Sequence, residues 1–208
     1  MLVVGVAGPA GAGKTTVCHM LSHRPGVVHV SCDELAWATY RRGGPSYAPL
    51  IARFGESILT EDGAVDREQL GHITLTDPQA KEDLEAIVHP AVLQELRGAL
   101  AYHRQQDTRV ALVEGALLLT SPHVDWAAFD AFVWLYAPEE LRLKRLLSSG
   151  LEGSKVRRRL SAQRDLQPPR DASVYPVDSS GPPAEVADRV WNLIQSLSQS
   201  ASQRTQDI

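Results

Sequence analysis

Cysteine is scarce in this chain. Cys18 and Cys32 stand alone, with no CxxC pair and no zinc ligand set, which argues against a disulfide framework and a structural Cys-type zinc site. Long apolar runs are also missing, since no stretch reaches the ~18 residues of a membrane span. The opening MLVVGVAG carries no basic segment of a signal peptide and reads as a buried strand, so a cytoplasmic location is expected. Positive charge is not in excess. With 21 Lys and Arg against 25 Asp and Glu, the net charge of −4 makes a poor non-specific nucleic-acid binder, and any anion site must be local. No internal repeat is visible. Neither nucleic acid nor membrane is expected as a partner.

What remains is a globular composition, 43% apolar and 22% charged over 208 residues, enough for one domain with an insertion. Short β-like runs occur at Leu2–Ala7, Val27–Val30, Val110–Val113, Phe132–Tyr136 and Val174–Val177. Pro176 cannot donate to a ladder, which places the last run at a sheet edge. Helical spacing covers Thr15–Ser22, then Leu84, Ile87 and Val88, then Leu93, Leu96 and Leu100, and finally Val186 to Leu197. Pro90 either kinks one helix or starts a second. Strands alternating with helices imply an α/β fold in three layers, with a parallel sheet of about five strands. The gap from about residue 33 to 108 is too long for one crossover helix, so a helical, acceptor-binding insertion is expected over about 37–108. The core then takes 1–36, 109–141 and 171–197. The Ser/Gln-rich segment 198–208 reads as a flexible tail.

The strongest local signal is Gly8-Pro9-Ala10-Gly11-Ala12-Gly13-Lys14-Thr15, which satisfies GxxxxGK[ST] between a strand and a helix. Glycines let successive backbone N–H groups point at phosphate oxygens, and the helix N-terminus adds its positive end. Lys14 reaches the β- and γ-phosphates and the Thr15 hydroxyl ligates Mg²⁺. Gly8, Ala10, Gly11, Ala12, Gly13, Lys14, Thr15 and Thr16 are therefore the expected ATP-binding residues. A phosphate loop alone does not name the reaction. No NKxD-type guanine reader is present and the chain is short for a motor, so a small-molecule kinase fits best.

Asp33 follows the second strand, where ligands line the carboxyl ends of an open sheet. A carboxylate there accepts a hydroxyl proton or orients Mg²⁺, or simply caps the next helix. Glu114, at the end of the third strand, orders Mg²⁺ or a water, binds the acceptor, or caps a turn. Residues 140–170 carry nine Lys and Arg against three acids. Such charge, in a closing lid, suits the three oxygens of a transferring phosphoryl. Trp134 reads as core; Trp37 and Trp126 are candidates for stacking on a base, with packing the expected role. The histidines other than His89, at 19, 23, 29, 72, 103 and 123, show no ligand spacing and read as surface or core residues.

The insertion contains Phe54-Gly55, then Asp62-Gly63-Ala64-Val65-Asp66-Arg67-Glu68-Gln69-Leu70, then Leu84-Glu85-Ala86-Ile87-Val88-His89-Pro90. Further on come Arg159-Leu160-Ser161-Ala162-Gln163 and Asp178-Ser179-Ser180-Gly181. Together with the phosphate loop these resemble the dephospho-CoA kinase family, over most of the chain. The resemblance implies a P-loop kinase that uses MgATP to phosphorylate the ribose 3′-hydroxyl of dephospho-CoA, with a helical CoA domain and a lid near 142–170. It implies Asp33 as the base, with Arg67 and His89 on the acceptor-domain positions; Glu114 is expected beside them as a substrate-binding residue, and Lys14 of the phosphate loop and Arg159 of the basic segment as catalytic ones. The chain departs from the family pattern at several places. Ser31 stands for the first Asp of the DAD segment and Trp37 for an Arg, with Arg41 and Arg42 nearby. Val113-Glu114-Gly115 replaces a P-L-L-x-E segment and is closer to uridine kinases, and the lid lacks its usual first Arg around 148–150. A nucleoside or nucleotide kinase of the uridine kinase type, or a nucleotide-binding protein without catalysis, stays open as the alternative. A monomer or small homo-oligomer is expected.

Overall fold

The computed structural model describes residues 1–116, 118–119, 124–171 and 173–206. His123, and Leu117 within the segment after the third strand, lie outside the described residues. The chain divides into two compact units, residues 1–30 with 103–208, and residues 31–102.

The first unit is built on β1 (Leu2–Ala7), β2 (Val27–Ser31), β3 (Val110–Glu114), β4 (Ala131–Tyr136) and β5 (Val174–Asp178), in the sheet order β2-β3-β1-β4-β5. The strand β1 pairs in parallel with β3 on one side and β4 on the other, and β4 pairs in parallel with β5. Burial on both faces explains their Val-rich, nearly unbroken apolar sequence. Pro176 sits in the edge strand, as its missing donor requires. Helices flank the sheet in three layers. The helix α1 (Lys14–Ser22) packs through Val17 and Leu21, and α8 (Pro183–Gln206) through Val190 and Ile194, on Val4 and Val133 of the sheet. The helix α8 runs past Leu197 to Gln206, because no Gly or Pro follows Pro183 to break it. Trp134 is buried in β4, and Trp126 packs on Phe132 with ring centroids 4.9 Å apart. Two short helices, α6 (Glu139–Ser148) and α7 (Gly153–Ser161), follow β4. The β1–β3 register sets Glu114 opposite Val6, two residues before the glycine loop.

The second unit is helical: α2 (Cys32–Thr39), α3 (Tyr47–Phe54), α4 (Arg67–Thr76) and α5 (Pro78–Arg104), the last continuing beyond the unit. Leu50, Ile58, Leu70, Val88 and Val92 form its core. The helix α5 passes through Pro90 without ending. Proline inside a helix costs ~3 kcal/mol or more. Val88, Val92, Leu96 and Leu100 are all buried and spaced four apart, so one continuous stripe spans the proline and offsets that loss. His89 consequently sits within a helix and does not terminate one. Among the described residues no helix is long and apolar enough to cross a membrane.

Candidate active site

The glycine loop takes its shape from close backbone packing. Gly8 adopts φ +139°, and a Cβ there would meet the Leu135 carbonyl oxygen at 2.1 Å. Gly11 adopts φ +78°, and a Cβ would meet the Arg142 carbonyl oxygen at 2.7 Å. Only glycine fits both places. Ala10 and Ala12 are buried, Gly13 caps the N-terminus of α1, and Thr16 is exposed on its first turn. Lys14 Nζ donates to the carbonyls of Gly8 at 2.9 Å and Pro9 at 3.2 Å, so the ammonium is folded onto its own loop. The Ala10 N–H donates to Gln163 Oε1 at 2.7 Å. A side chain from beyond α7 therefore already occupies one of the donors a phosphate would use.

Two arginines from α6 brace the same loop. Arg142 is buried and donates to Ala137 O at 3.1 Å and Ala10 O at 3.3 Å, with Glu139 at 4.0 Å. Arg145 donates to Gly11 O at 3.4 Å and Ser179 O at 2.7 Å, tying the loop to the turn after β5. These two members of the basic segment are engaged with carbonyl oxygens. Arg157, Arg158 and Arg159 stand exposed on α7, which buries Val156 and Leu160 on its other face. The amphipathic pattern alone accounts for that split.

At the mouth of the loop, Thr15 Oγ1 donates to Glu114 Oε1 at 2.5 Å, and His29 Nε2 lies 2.9 Å from Glu114 Oε2. Burial pushes the Glu114 carboxyl up. Hydrogen bonds from His29 and Thr15 and the Lys14 charge outweigh that and hold it below the usual range, so it is ionised at neutral pH. Cys18 on α1 is fully buried beside this group. Burial and the Glu114 charge push its thiol up against the opposing pull of Lys14. Both cysteines are free. Among the described residues, Lys14 and Thr15 at the start of α1 are thus brought together with Glu114 at the end of β3, from two separate places in the sequence.

In the second unit the helix cap belongs to Ser31, whose hydroxyl accepts from Glu34 N at 3.3 Å. Asp33 is not the cap. It is exposed in the first turn of α2, where the helix dipole favours its charge. Arg67 begins α4, capped by Asp66, and its guanidinium lies 4.2 Å from the Trp37 ring centroid. Trp37 is 42% exposed, so the expectation that it packs in the core is corrected. An open cavity of about 710 Å³ is lined by Trp37, Tyr40, Arg67 and Leu84 among others. Burial pushes the Tyr40 phenol up to about 12, so it is a protonated donor at neutral pH. His89 is half-buried in α5 and does not line the cavity, nor does Asp33.

Gln163, Arg142 and Arg145 carry loop contacts, and His29 a contact to Glu114, that the sequence alone does not assign to them individually. Gln163 had one visible signal, the Arg-Leu-Ser-Ala-Gln motif. His29 had none.

Comparison with known proteins followed this geometry. A family model described as dephospho-CoA kinase matches residues 2–181. The chain is 35% identical over 196 residues to a dephospho-CoA kinase of Geobacter sulfurreducens, covering 93% of this chain and 97% of that protein. It is 32% identical to one of Frankia casuarinae, covering 95% and 84%. Among solved structures it resembles TT1252 from Thermus thermophilus, with a TM-score of 0.73, 23% identity and coverage of 94% and 96%. A dephospho-CoA kinase from Campylobacter jejuni superposes with a TM-score of 0.65 at 19% identity, covering 96% and 98%.

Proposed function

The chain belongs to the dephospho-CoA kinase family, and from that premise we propose how its own residues carry the family's ATP-dependent phosphorylation of dephospho-CoA. The observation that carries the assignment of roles is the pairing of Thr15 with Glu114 beside a glycine loop whose lysine and donors face inward. Lys14 leaves the Gly8 and Pro9 carbonyls for the β- and γ-phosphate oxygens of ATP. Ala10 N–H exchanges the Gln163 carbonyl for a phosphate oxygen, with Gly8, Gly11, Ala12, Gly13 and Thr16 completing the ATP-binding loop.

The Thr15 hydroxyl and the ionised Glu114 are two hard oxygen donors, a set that fits Mg²⁺. These residues would hold the ion, which when bound neutralises charge between the phosphates. The Asp33 carboxylate takes the proton of the attacking ribose 3′-hydroxyl. Arg159, with Arg158, brings positive charge to the transferring phosphoryl as the segment 142–170 closes.

Acceptor recognition falls to the helical unit. Arg67 and Trp37 offer a guanidinium stacked on an indole, suited to a diphosphate and an adenine ring. Tyr40 adds a donor and His89 a further polar group. The test is a panel: ATP and Mg²⁺ with dephospho-CoA, uridine, cytidine or nucleoside monophosphates, following ADP. ADP release with dephospho-CoA, and phosphate at the 3′-position of the product, is the expected result. Turnover of uridine in preference to dephospho-CoA would overturn it.

A further inference from the structure

Two side chains that phosphoryl transfer leaves unused, Cys18 and His29, converge on Glu114. They come from the second turn of α1 and from β2, while Glu114 ends β3. One ligand atom from each, the Cys18 sulfur, a His29 ring nitrogen and a Glu114 carboxylate oxygen, lies within 4.8 Å of the other two. His29 Nε2 and Glu114 Oε2 are only 2.9 Å apart. Donors around a tetrahedral Zn²⁺ stand ~3.4 Å apart, as bond lengths of ~2.0–2.3 Å require. The three atoms are therefore near the right separation before any ion arrives. One thiolate, one imidazole and one carboxylate is the donor chemistry of Zn²⁺, whereas Mg²⁺ wants oxygen alone.

We infer that Cys18, His29 and Glu114 form a site for a Zn²⁺-class cation, and that filling it inhibits the kinase by drawing Glu114 away from Thr15. The ion replaces the thiol proton of Cys18, which leaves to solvent, and takes water as its fourth ligand. His29 is only partly buried and marks the way in, since Cys18 itself is fully enclosed. Lys14, which acts electrostatically on Cys18, has its ammonium on the Gly8 and Pro9 carbonyls. The binding stands on this donor set alone, while the inhibition rests on the role proposed above for Glu114.

The binding test uses Co²⁺ as a spectroscopic substitute, added to the whole protein without nucleotide. A near-ultraviolet thiolate-to-cobalt band should grow in, vanish in Cys18→Ala and Cys18→Ser, weaken in His29→Gln, and persist in Cys32→Ala. No band, or a band that survives both Cys18 variants, overturns the site. The inhibition test holds MgATP and dephospho-CoA fixed and raises buffered free Zn²⁺. Removing an outer-shell partner of a metal typically weakens affinity ~10–100-fold. Losing the sulfur ligand itself should move the inhibition midpoint by at least that much, with basal turnover retained. An unmoved midpoint in Cys18→Ala and Cys18→Ser overturns the inhibitory role. Failure of the kinase reading would show differently, as absent ADP release without any added Zn²⁺.

Discussion

In the unit of residues 1–30 and 103–208 the basic groups around the glycine loop are held against backbone, whereas Asp33, Trp37 and Arg67 of the unit of residues 31–102 stand on exposed helix faces. Lys14, Arg142 and Arg145 all end on carbonyl oxygens, and Thr15 ends on a partly buried carboxylate. Asp33, Trp37 and Arg67 are exposed, and the cavity beside the last two is open. A triphosphate tail is the same in every reaction that uses ATP, so a rigid backbone cradle serves it. The departures from the family pattern fall in both units, at Ser31 and Trp37 in the second and at Glu114 and around 148–150 in the first. Damage to the first unit should appear in chemistry and ATP binding, and damage to the second in acceptor handling.

Asp33→Asn tests the exception, an acceptor-side residue expected to act on kcat. Turnover should fall ~10²–10⁴-fold, the usual worth of a general base. ATP affinity and melting temperature should be unchanged, because Ser31 and not Asp33 caps α2. An unchanged kcat would remove Asp33 from the mechanism. Lys14→Ala should raise the barrier by ~3–5 kcal/mol, roughly a thousandfold in rate, with ATP affinity reduced and the fold intact. Near-normal turnover there would break the assignment of the loop.

Neutralising Arg158 and Arg159 together should lower kcat ~10–100-fold, or ~1.4–2.7 kcal/mol, while ATP affinity without acceptor changes little. The opposite split would show that these exposed arginines hold the open form's nucleotide. Trp37→Ala should raise the KM for dephospho-CoA by about tenfold through loss of an aromatic surface worth ~1–3 kcal/mol per stacked base, with kcat nearly unchanged. A fall in kcat with constant KM would contradict the division between the two units.

The smallest effect expected is on stability alone, in the first unit. Glu114 has a folded pKa below its ordinary value of 4.5. Its contribution is therefore complete above that value and disappears as the pH falls through the lower, folded one. Urea melts of the metal-free protein should show part of the acid destabilisation below 4.5 vanish in Glu114→Gln. Identical acid profiles for the two proteins would mean that the Thr15 and His29 hydrogen bonds do not favour the ionised form.

Much of the fold was legible because its signals are local. Eight contiguous residues define the glycine loop, and four-residue spacing from Val186 through Val190 to Ile194 marks α8. Pro176 announced an edge strand through the donor it lacks. Pro90 misleads when read alone, because the stripe from Val88 to Leu100 outweighs it. Asp33 and Ser31 are two residues apart and both suit a cap, and only the hydrogen bond to Glu34 N decided between them.

By itself the sequence determined the strand–loop–helix around the glycine loop, the alternation that makes a parallel sheet, and the motifs of the helical segment. Each of these depends on backbone preferences within a few residues. Only the tertiary structure decided what meets the loop. His29 and Glu114 are 85 positions apart, Ala10 and Arg142 132, and Ala10 and Gln163 153. The order of the strands in the sheet brings β2 and β3 side by side, and His29 in the middle of β2 then meets Glu114 at the carboxyl end of β3. No periodicity in a single chain encodes that meeting, because it follows from which strands become neighbours and not from which residues do.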